Sequence, residues 1–279
     1  MRELAIREVA EQTGLAAGTI RMWEQRYGFP EPERTPTGYR LYSPADVDVL
    51  RRVVELRKGG LSVPAALERA RATTAGPTDR PSIFGAVPNG GRVRRLRKRT
   101  LIALSRAIED EAMASAAGPI VFGAFQRSRH YRAVEHRYRR MAEAADLAAV
   151  FADFGNGHEA VAAEHVPIEL TIRTDDPVGH EWAVVVDAPG FSVCLVAWEP
   201  PVPSPPADDR DRVFEVHWTL DPEAVRAASR AGAAIARSVA PPVGERIDAL
   251  LADRPLGAEA GVEALEALAM RMVGYLEDA

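Results

Sequence analysis

The sequence has few of the features that mark covalent frameworks, membrane proteins or exported proteins. Its one cysteine, Cys194, excludes an internal disulfide and a metal site built from several thiolates. No run of 18 uncharged apolar residues is present, which excludes a hydrophobic membrane-spanning helix. The first residues are charged and show no apolar signal-peptide region. Together these absences predict a cytoplasmic protein.

Common catalytic motifs are also missing. The sequence contains no Gly-rich phosphate loop, no Gly-x-Ser-x-Gly elbow, no His-Glu-x-x-His and no paired cysteines. His158 and His165 lack the helical spacing of two metal ligands, so no metal site is expected. The segment Gly155-Asn156-Gly157 before His158 is the one loop that suggests a reactive group, and a turn explains it better. We therefore expect no enzyme.

Charge is distributed unevenly along a chain of ordinary globular composition, with 47% hydrophobic and 27% charged residues. Residues 1–100 carry 19 Lys and Arg against 11 Asp and Glu, whereas residues 101–279 carry 16 against 29. Lysine occurs only at Lys58 and Lys98, so arginine supplies nearly all the cations. Residues 1–100 are thus mildly basic, and residues 101–279, the acidic body, are net negative. This distribution predicts that the N-terminal part binds a polyanion.

The first 75 residues predict short helices around a hairpin. Apolar spacing and Gly14 indicate helices over 6–13 and 17–27, joined by a tight turn. Prolines and Gly38 favour a hairpin over 32–42, and Ser43-Pro44-Ala45-Asp46 is typical of a helix start. The second helix presents Thr19, Arg21, Gln25 and Arg26 on its polar side, as a helix that enters the DNA major groove does. The alternative is an ordinary amphipathic helix.

The longer motif decides between these alternatives. Gly14, Thr19-Ile20-Arg21-x-Trp23-Glu24 and Arg34-x3-Gly38-Tyr39-Arg40-Leu41-Tyr42-Ser43 closely resemble the MerR family of winged helix-turn-helix transcription regulators. The resemblance covers about residues 4–75, and its wording at 23–28 looks most like the branch that includes cobalamin-dependent light-responsive repressors. Ala16 departs from the family pattern, which usually has a Ser helix cap there; its absence costs about 1 kcal/mol. The predicted DNA contacts, from the polar face and the resemblance together, are Thr19, Arg21, Trp23, Arg26, Arg34, Tyr39 and Arg40.

The rest of the chain predicts an α/β domain with a helical tail. Apolar runs indicate strands over 120–125, 147–151, 167–172, 182–187, 191–198 and 213–220. Helices are expected over 92–114 and 127–145, and Ala-rich helices follow Asp221. The predicted fold is thus an N-terminal winged helix-turn-helix (mainly α with a β-hairpin wing) followed by an α/β sensory domain with a helical C-terminal tail. The predicted bounds are 1–75 for the DNA-binding domain, 76–91 for a linker, 92–220 for the sensory domain and 221–279 for C-terminal helices.

Residues 82–220 resemble the DICT sensory domain. The resemblance lies in Leu101-x2-Leu104-Ser105-x2-Ile108-Glu109, Phe122-Gly123-x-Phe125-Gln126-Arg127, Val150-Phe151-Ala152-Asp153 and Glu181-Trp182-Ala183. It implies a domain that receives a signal; the alternative is an enzyme or ligand-processing α/β domain tethered to DNA by the N-terminal module. Cobalamin is not expected, because the sequence lacks a pattern such as Asp-x-His-x-x-Gly; no cofactor is assigned.

Five residues are predicted to bind the signal. Glu109, Gln126, Arg127 and Asp153 lie at the ends of apolar runs, where polar groups often line a pocket, and Trp182 offers a ring for stacking. Helix capping, ion pairs with the many arginines and core packing are the alternatives. Cys194 is expected to be a buried small hydrophobe.

The remaining expectations concern partners. One helix reads only a few base pairs, so a homodimer on a pseudo-palindromic double-stranded DNA operator is expected. The helices after Asp221 are the predicted dimer contact; alternatively they cover the sheet. The basic run Arg92–Arg99 extends the DNA footprint or is the solvated face of a helix, and Arg127–Arg140 is expected to pair with the acidic body. We also expect a contact with RNA polymerase, an unidentified small-molecule or protein signal, and association with the nucleoid.

Overall fold

The computed structural model describes residues 3–35, 37–58, 60–74, 81–88, 93–155, 157–161, 163–200, 206–257, 261–277 and 279. The chain divides into two compact units, Met1–Gly76 and Pro77–Ala279. Among the described residues, no helix is both long and apolar enough to cross a membrane.

Unit 1 is a small helical domain with a three-stranded antiparallel sheet in the order β1-β3-β2. Its elements are β1 Leu4–Ala5, α1 Ile6–Thr13, α2 Ala17–Tyr27, β2 Glu33–Arg34, β3 Arg40–Tyr42, α3 Pro44–Lys58 and α4 Val63–Thr74. This arrangement confirms the predicted winged helix-turn-helix.

Glycines end the first two helices of unit 1. Gly14 and Gly28 adopt left-handed backbone, with φ of 71° and 63°, and their N–H groups donate to carbonyls four residues back at 3.0 Å. At the start of α3, Ser43 and Asp46 hydrogen-bond each other's backbone N–H at 2.8 and 3.1 Å. Local residues therefore set these helix ends, which explains why the sequence predicts them.

Unit 2 is a three-layer α/β domain. Its strands are β4 Arg94–Arg97, β5 Ile120–Arg127, β6 Leu147–Asp153, β7 Ile168–Thr171, β8 Glu181–Asp187, β9 Ser192–Trp198 and β10 Val213–Thr219. They form one sheet in the order β4-β10-β9-β8-β5-β6-β7, in which β5, β6 and β7 are parallel and the other neighbours antiparallel. The helices are α5 Ile83–Ala86, α6 Lys98–Ser115, α7 Ser128–Arg132, α8 Glu135–Ala144, α9 Pro222–Val239, α10 Pro241–Asp253 and α11 Val262–Glu277.

Both faces of this sheet are buried. On one face, apolar residues of β8, β9 and β10 pack against α6 and α11, and those of β5 and β6 pack against α7 and α8. On the other face lies α9, which comes so close to β5 that a Cβ at Gly232 would stand 2.8 Å from the ring of Phe122. Arg226 on α9 donates to Asp187 at 2.7 Å, and both side chains are nearly fully buried. Strands covered on both sides read as continuous apolar runs, which is how the sequence reveals them.

Three expectations fail in unit 2. The predicted linker contains α5, whose Ile83 and Phe84 are fully buried. The helix expected from residue 92 begins at Lys98, and before it the chain forms edge strand β4 beside β10. The basic segment 127–145 forms two helices, α7 and α8, and its first residue belongs to β5. The long-range pairing of β4 leaves no local pattern in its arginine-rich sequence.

Candidate nucleic-acid interface and sensory-domain residues

The second helix of unit 1 divides its residues between core and solvent. Ile20 and Trp23 are buried, with relative exposures of 0% and 1%, whereas Arg21, Gln25 and Arg26 are exposed. Thr19 is half-buried at the same helix start. The prediction that Trp23 contacts DNA is therefore wrong, because its indole packs inside the domain. Trp23 instead holds α2 in place, and the exposed polar side chains remain available to a partner.

The hairpin of unit 1 carries the other predicted contacts. Thr35 N–H donates to the carbonyl of Tyr39 at 2.9 Å, and Gly38, with φ of 85°, occupies the turn. The Tyr39 side chain is 74% exposed at the tip. Arg34 in β2 and Arg40 in β3 face each other in the ladder. Pro36, one of the prolines of this predicted hairpin, lies outside the described residues.

A single carboxylate joins this hairpin to α2. Arg40 Nε donates to Glu24 Oε2 at 2.7 Å, and Arg34 Nη2 donates to Glu24 Oε1 at 3.4 Å. The hydrogen bond to Glu24 raises the pKa of Arg40 above its usual range, so its charge is fixed. Glu24 thus fastens two wing cations to the helix that carries Arg21 and Arg26. Sequence reasoning missed this role, since residues 24, 34 and 40 meet only after the wing folds.

The N-terminus of α2 lacks a side-chain cap. Ala16 occupies the cap position with φ of −65° and ψ of 140°, and it accepts only through its backbone carbonyl. This geometry agrees with the departure noted in the sequence, because a Ser there would place a hydroxyl oxygen near the free N–H groups of the first turn.

The five predicted signal-binding residues do not meet in one place. Glu109 on α6 is buried and accepts from Arg137 Nε at 2.5 Å. Burial raises its pKa to about 7 in spite of this cation. Trp182 is buried on β8 and donates to Ser105 Oγ at 2.9 Å. The structure therefore favours an ion-pair role for Glu109 and a core-packing role for Trp182.

The other three lie where the parallel strands β5 and β6 end. Arg127 and Asp153 make a long ion pair of 3.5 Å there. Gln126 has left-handed backbone, φ 51°, beside a register shift in β5, a conformation that is costly for a residue with a side chain. Its amide donates to Glu199 at 3.1 Å and accepts from Arg212 at 2.7 Å. These strand ends are the edge at which α/β sheets commonly bind ligands.

A polar cluster beside Gln126 was not predicted. Lys98 is buried, lies within 3.4 Å of His130 and pairs with Asp209, which also accepts from Arg212 at 3.0 Å. These cations hold the pKa of Asp209 at about 2 despite its partial burial, and burial together with Lys98 lowers the pKa of His130. Residues so distant along the chain leave no common signal in one sequence.

Two cavities lie at the opposite end of β6. They have volumes of about 270 and 450 Å³, and both are lined by Asp146 and Arg246. None of the five predicted residues belongs to either lining. The described cavities and the predicted residues are therefore separate features of unit 2.

Comparison with known proteins fits this geometry. The sequence profile described as MerR HTH family regulatory protein matches residues 4–72, which include α1 to α3, the wing and most of α4. The front of this chain is a MerR-type helix-turn-helix domain. The profile described as the sensory domain in diguanylate cyclases and two-component systems, DICT, matches residues 86–200. The MerR-type domain is thus followed by a DICT domain.

Curated relatives match the MerR-type domain. The HTH-type transcriptional repressor CarA of Myxococcus xanthus is 44% identical over 80 residues, 28% of this chain and 27% of CarA. CarH of the same organism, also an HTH-type transcriptional repressor, is 38% identical over 82 residues, 27% of each chain. The mercuric resistance operon regulatory protein of Bacillus cereus is 40% identical over 58 residues, 21% of this chain and 44% of that protein. The matched segment spans about a quarter of CarA and CarH.

Proposed function

We propose that this protein is a sequence-specific DNA-binding transcription regulator whose DICT domain receives a signal and modulates promoter binding. One observation carries the proposal: α2 presents exposed Arg21, Gln25 and Arg26 beside a wing that Glu24 fastens to it. Such a surface offers a helix for the major groove and cations for the flanking phosphates. The relatives that share this domain are named as transcription regulators, which supports a regulator over an enzyme.

Each predicted contact has a part in this proposal. Arg21 and Arg26 reach base edges from α2, with Thr19 at its start. Arg34, Tyr39 and Arg40 grip the neighbouring backbone, which positions the helix without reading sequence. The buried Trp23 is a positioning residue, because the packing of its indole fixes the position of α2 on the domain core.

Two copies act together in this proposal. A single helix contacts few base pairs, so a homodimer on a pseudo-palindromic operator gives useful specificity. Bound at a promoter in the cytoplasmic nucleoid, the dimer contacts RNA polymerase, and a small ligand or partner protein acting on the DICT domain changes promoter occupancy. The site for that signal is proposed at the ends of β5 and β6, around Gln126, Arg127 and Asp153.

Operator selection tests the proposal. The full chain is incubated with random double-stranded DNA, the enriched sequence is cloned, and affinity is measured by fluorescence anisotropy over a salt series. We expect a pseudo-palindromic site and an affinity that falls by orders of magnitude between low and moderate salt, because cations displace counterions from phosphates. Failure to enrich any sequence, together with salt-independent binding, contradicts the proposal.

Two arginine variants distinguish base recognition from phosphate contact. Arg40→Ala should weaken binding to operator and random DNA alike, whereas Arg21→Ala should lose about 10- to 100-fold on the operator and little on random DNA. Arg237→Ala is the matched control, since this half-exposed arginine pairs with Asp248 in unit 2. Equal losses on both DNAs for both variants reject base reading by Arg21.

A further inference from the structure

Helix α11 is held firmly along one side. Leu268 and Met272 are buried in the cluster that includes α6 and the sheet. Arg271 donates to Glu111 at 2.7 Å, and the Tyr275 hydroxyl donates to Asp110. These contacts fix the rotation of α11 about its axis, so the remaining side chains point in defined directions.

The unattached side of α11 is unusually apolar. Five of the twelve exposed large hydrophobic side chains among the described residues lie on this helix, among them Val262 at 70% and Val273 at 51% exposure. Four of the five fall with Ala269 inside an arc of roughly 80° at 100° per residue. We call this set the outer stripe: Val262, Leu265, Ala269, Val273 and Leu276. Exposed apolar patches of this kind mark interaction surfaces.

The outer stripe is symmetric about its centre. Leu265 and Val273 lie four residues before and after Ala269, and Val262 and Leu276 lie seven residues before and after it. If two copies of α11 run antiparallel around a two-fold axis at Ala269, each Leu meets a Val and the small Ala lets the helices approach. A two-fold interface must be self-complementary in this way.

Charge favours the antiparallel direction. Glu263 and Glu266 lie in the N-terminal half of the helix, residues 267–276 contain no carboxylate, and Glu277 follows the last stripe residue. The one cation of this segment, Arg271, already pairs with Glu111 of its own chain. A parallel pair would bring Glu263, Glu266 and Glu277 each against the same residue of the second copy. An antiparallel pair sets Glu266 against Met272 in the carboxylate-free segment and leaves only Glu263 near Glu277 of the second copy. Antiparallel helices also bring opposite dipole ends together.

We propose that the outer stripe binds the same stripe of a second copy, antiparallel and centred on Ala269, and so forms the homodimer. This inference rests on the proposed function, which requires two copies on one operator. It refines the expectation that the helices after Asp221 form the dimer: α9 covers the sheet, and α11 provides the contact.

Sedimentation equilibrium of the full chain tests the interface. The unchanged protein should be a dimer, and Leu265→Glu with Val273→Glu should raise the dimer dissociation constant by roughly 100-fold or more, because four charges enter an apolar seam. Val239→Glu, at a 42% exposed position on α9, is the matched control and should leave the dimer unchanged. Unchanged circular dichroism shows that the double variant is folded. A monomeric unchanged protein, or a folded double variant that still dimerises normally, overturns the proposal.

Disulfide trapping tests the direction, since the native Cys194 is buried and does not compete. Ala269→Cys should form a covalent dimer under mild oxidation. Leu265→Cys alone should not, because antiparallel pairing separates the two copies of residue 265 by about 12 Å along the axis, beyond the roughly 7 Å that a disulfide spans. A mixture of Leu265→Cys and Val273→Cys chains should crosslink. Efficient trapping by Leu265→Cys alone overturns the antiparallel arrangement.

The two proposals fail separately. A protein that dimerises through the stripe yet selects no operator contradicts the regulator and leaves the interface intact. A protein that selects an operator and whose dimer survives the two glutamates contradicts the interface and leaves the regulator intact.

Discussion

The two units of this protein use the same residue, arginine, for different purposes. In unit 1, Arg21 and Arg26 are exposed on α2, and Arg34 keeps 58% of its side chain exposed even while it pairs with Glu24. In unit 2, Arg137 and Arg226 are 15% and 8% exposed and bind two carboxylates and one, respectively. Arg137 and Arg226 are held by carboxylates that are themselves buried, Glu109 and Asp187. The exposed arginines of α2 remain available to a polyanion.

This difference changes the meaning of the charge distribution. The 127–140 segment contains six arginines, yet Arg132 and Arg137 bind Glu169, Glu109 and Asp110 within unit 2. The expectation that this segment pairs with the acidic body is confirmed. Counting charges therefore identifies candidate nucleic-acid-binding segments. Only the hydrogen-bond partners of each arginine distinguish such a segment from one whose arginines form ion pairs within the protein.

The largest effect on stability should come from breaking a buried ion pair in unit 2. Asp187→Ala leaves Arg226 buried without its carboxylate, which should lower the free energy of unfolding by about 3–5 kcal/mol. Urea unfolding followed by tryptophan fluorescence measures this loss. The double variant Asp187→Leu with Arg226→Met should recover most of it, because no charge is then buried. If the free energy of unfolding of Asp187→Ala lies within about 1 kcal/mol of that of the unchanged protein, the pair contributes no more than a surface ion pair.

A second large effect should follow pH. Burial raises the pKa of Glu109 to about 7 from its ordinary value of 4.5. Between these values the folded protein keeps a proton that the unfolded chain has lost, so the free energy of unfolding falls as pH rises, on the order of 3 kcal/mol in total. Above pH 7 this contribution is constant. Denaturation across pH 4.5–8 should show the slope in the unchanged protein and a reduced slope in Glu109→Gln; equal slopes would contradict the assignment.

A smaller gain is expected in unit 1. Ala16→Ser supplies the missing cap of α2, because the Ala16 backbone is already extended as a cap requires. The variant should stabilise the helix by about 1 kcal/mol. Hydrogen exchange in α2 peptides should slow about fivefold, and peptides from β5 provide the internal control. Exchange that slows equally in both units would point to a global effect instead.

The smallest stability effect should come from Glu24→Gln. The pairs of Glu24 with Arg34 and Arg40 are partly exposed, so their loss should change the free energy of unfolding by less than about 1 kcal/mol. DNA binding should respond more clearly: binding to random DNA tightens as two cations are released, and the preference for the operator falls as the wing loosens. An unchanged preference would show that the wing keeps its position without Glu24.

Sequence reasoning succeeds where neighbours along the chain decide the structure. The bounds of α1 and α2 follow from apolar spacing and from Gly14 between them, and the start of α3 follows from Ser43 and Asp46. Strands β5, β6, β8 and β9 are visible because burial on both faces leaves uninterrupted apolar runs. Strand β10 is visible from its β-branched and aromatic residues although Glu215 and His217 interrupt the run.

Sequence reasoning fails where distant residues meet. Strand β4 exists because Arg94–Arg97 pairs with β10, more than 110 residues later. Gln126 was found as the end of an apolar run, whereas its partners Glu199 and Arg212 were not, since only the fold brings them together. Trp23 was assigned to DNA from a family motif, and its burial shows that a motif residue can serve the scaffold.

The contact between Ser82 and Glu181 has a practical consequence for cutting this protein into pieces. The buried Glu181 carboxylate accepts from the Ser82 hydroxyl and from the N–H groups of Ile83 and Phe84, at 3.0 and 3.1 Å for the latter two. A recombinant fragment that starts at residue 86, where the DICT match begins, would strip all three donors from this carboxylate. A fragment intended for ligand screening or crystallisation should therefore start before residue 81.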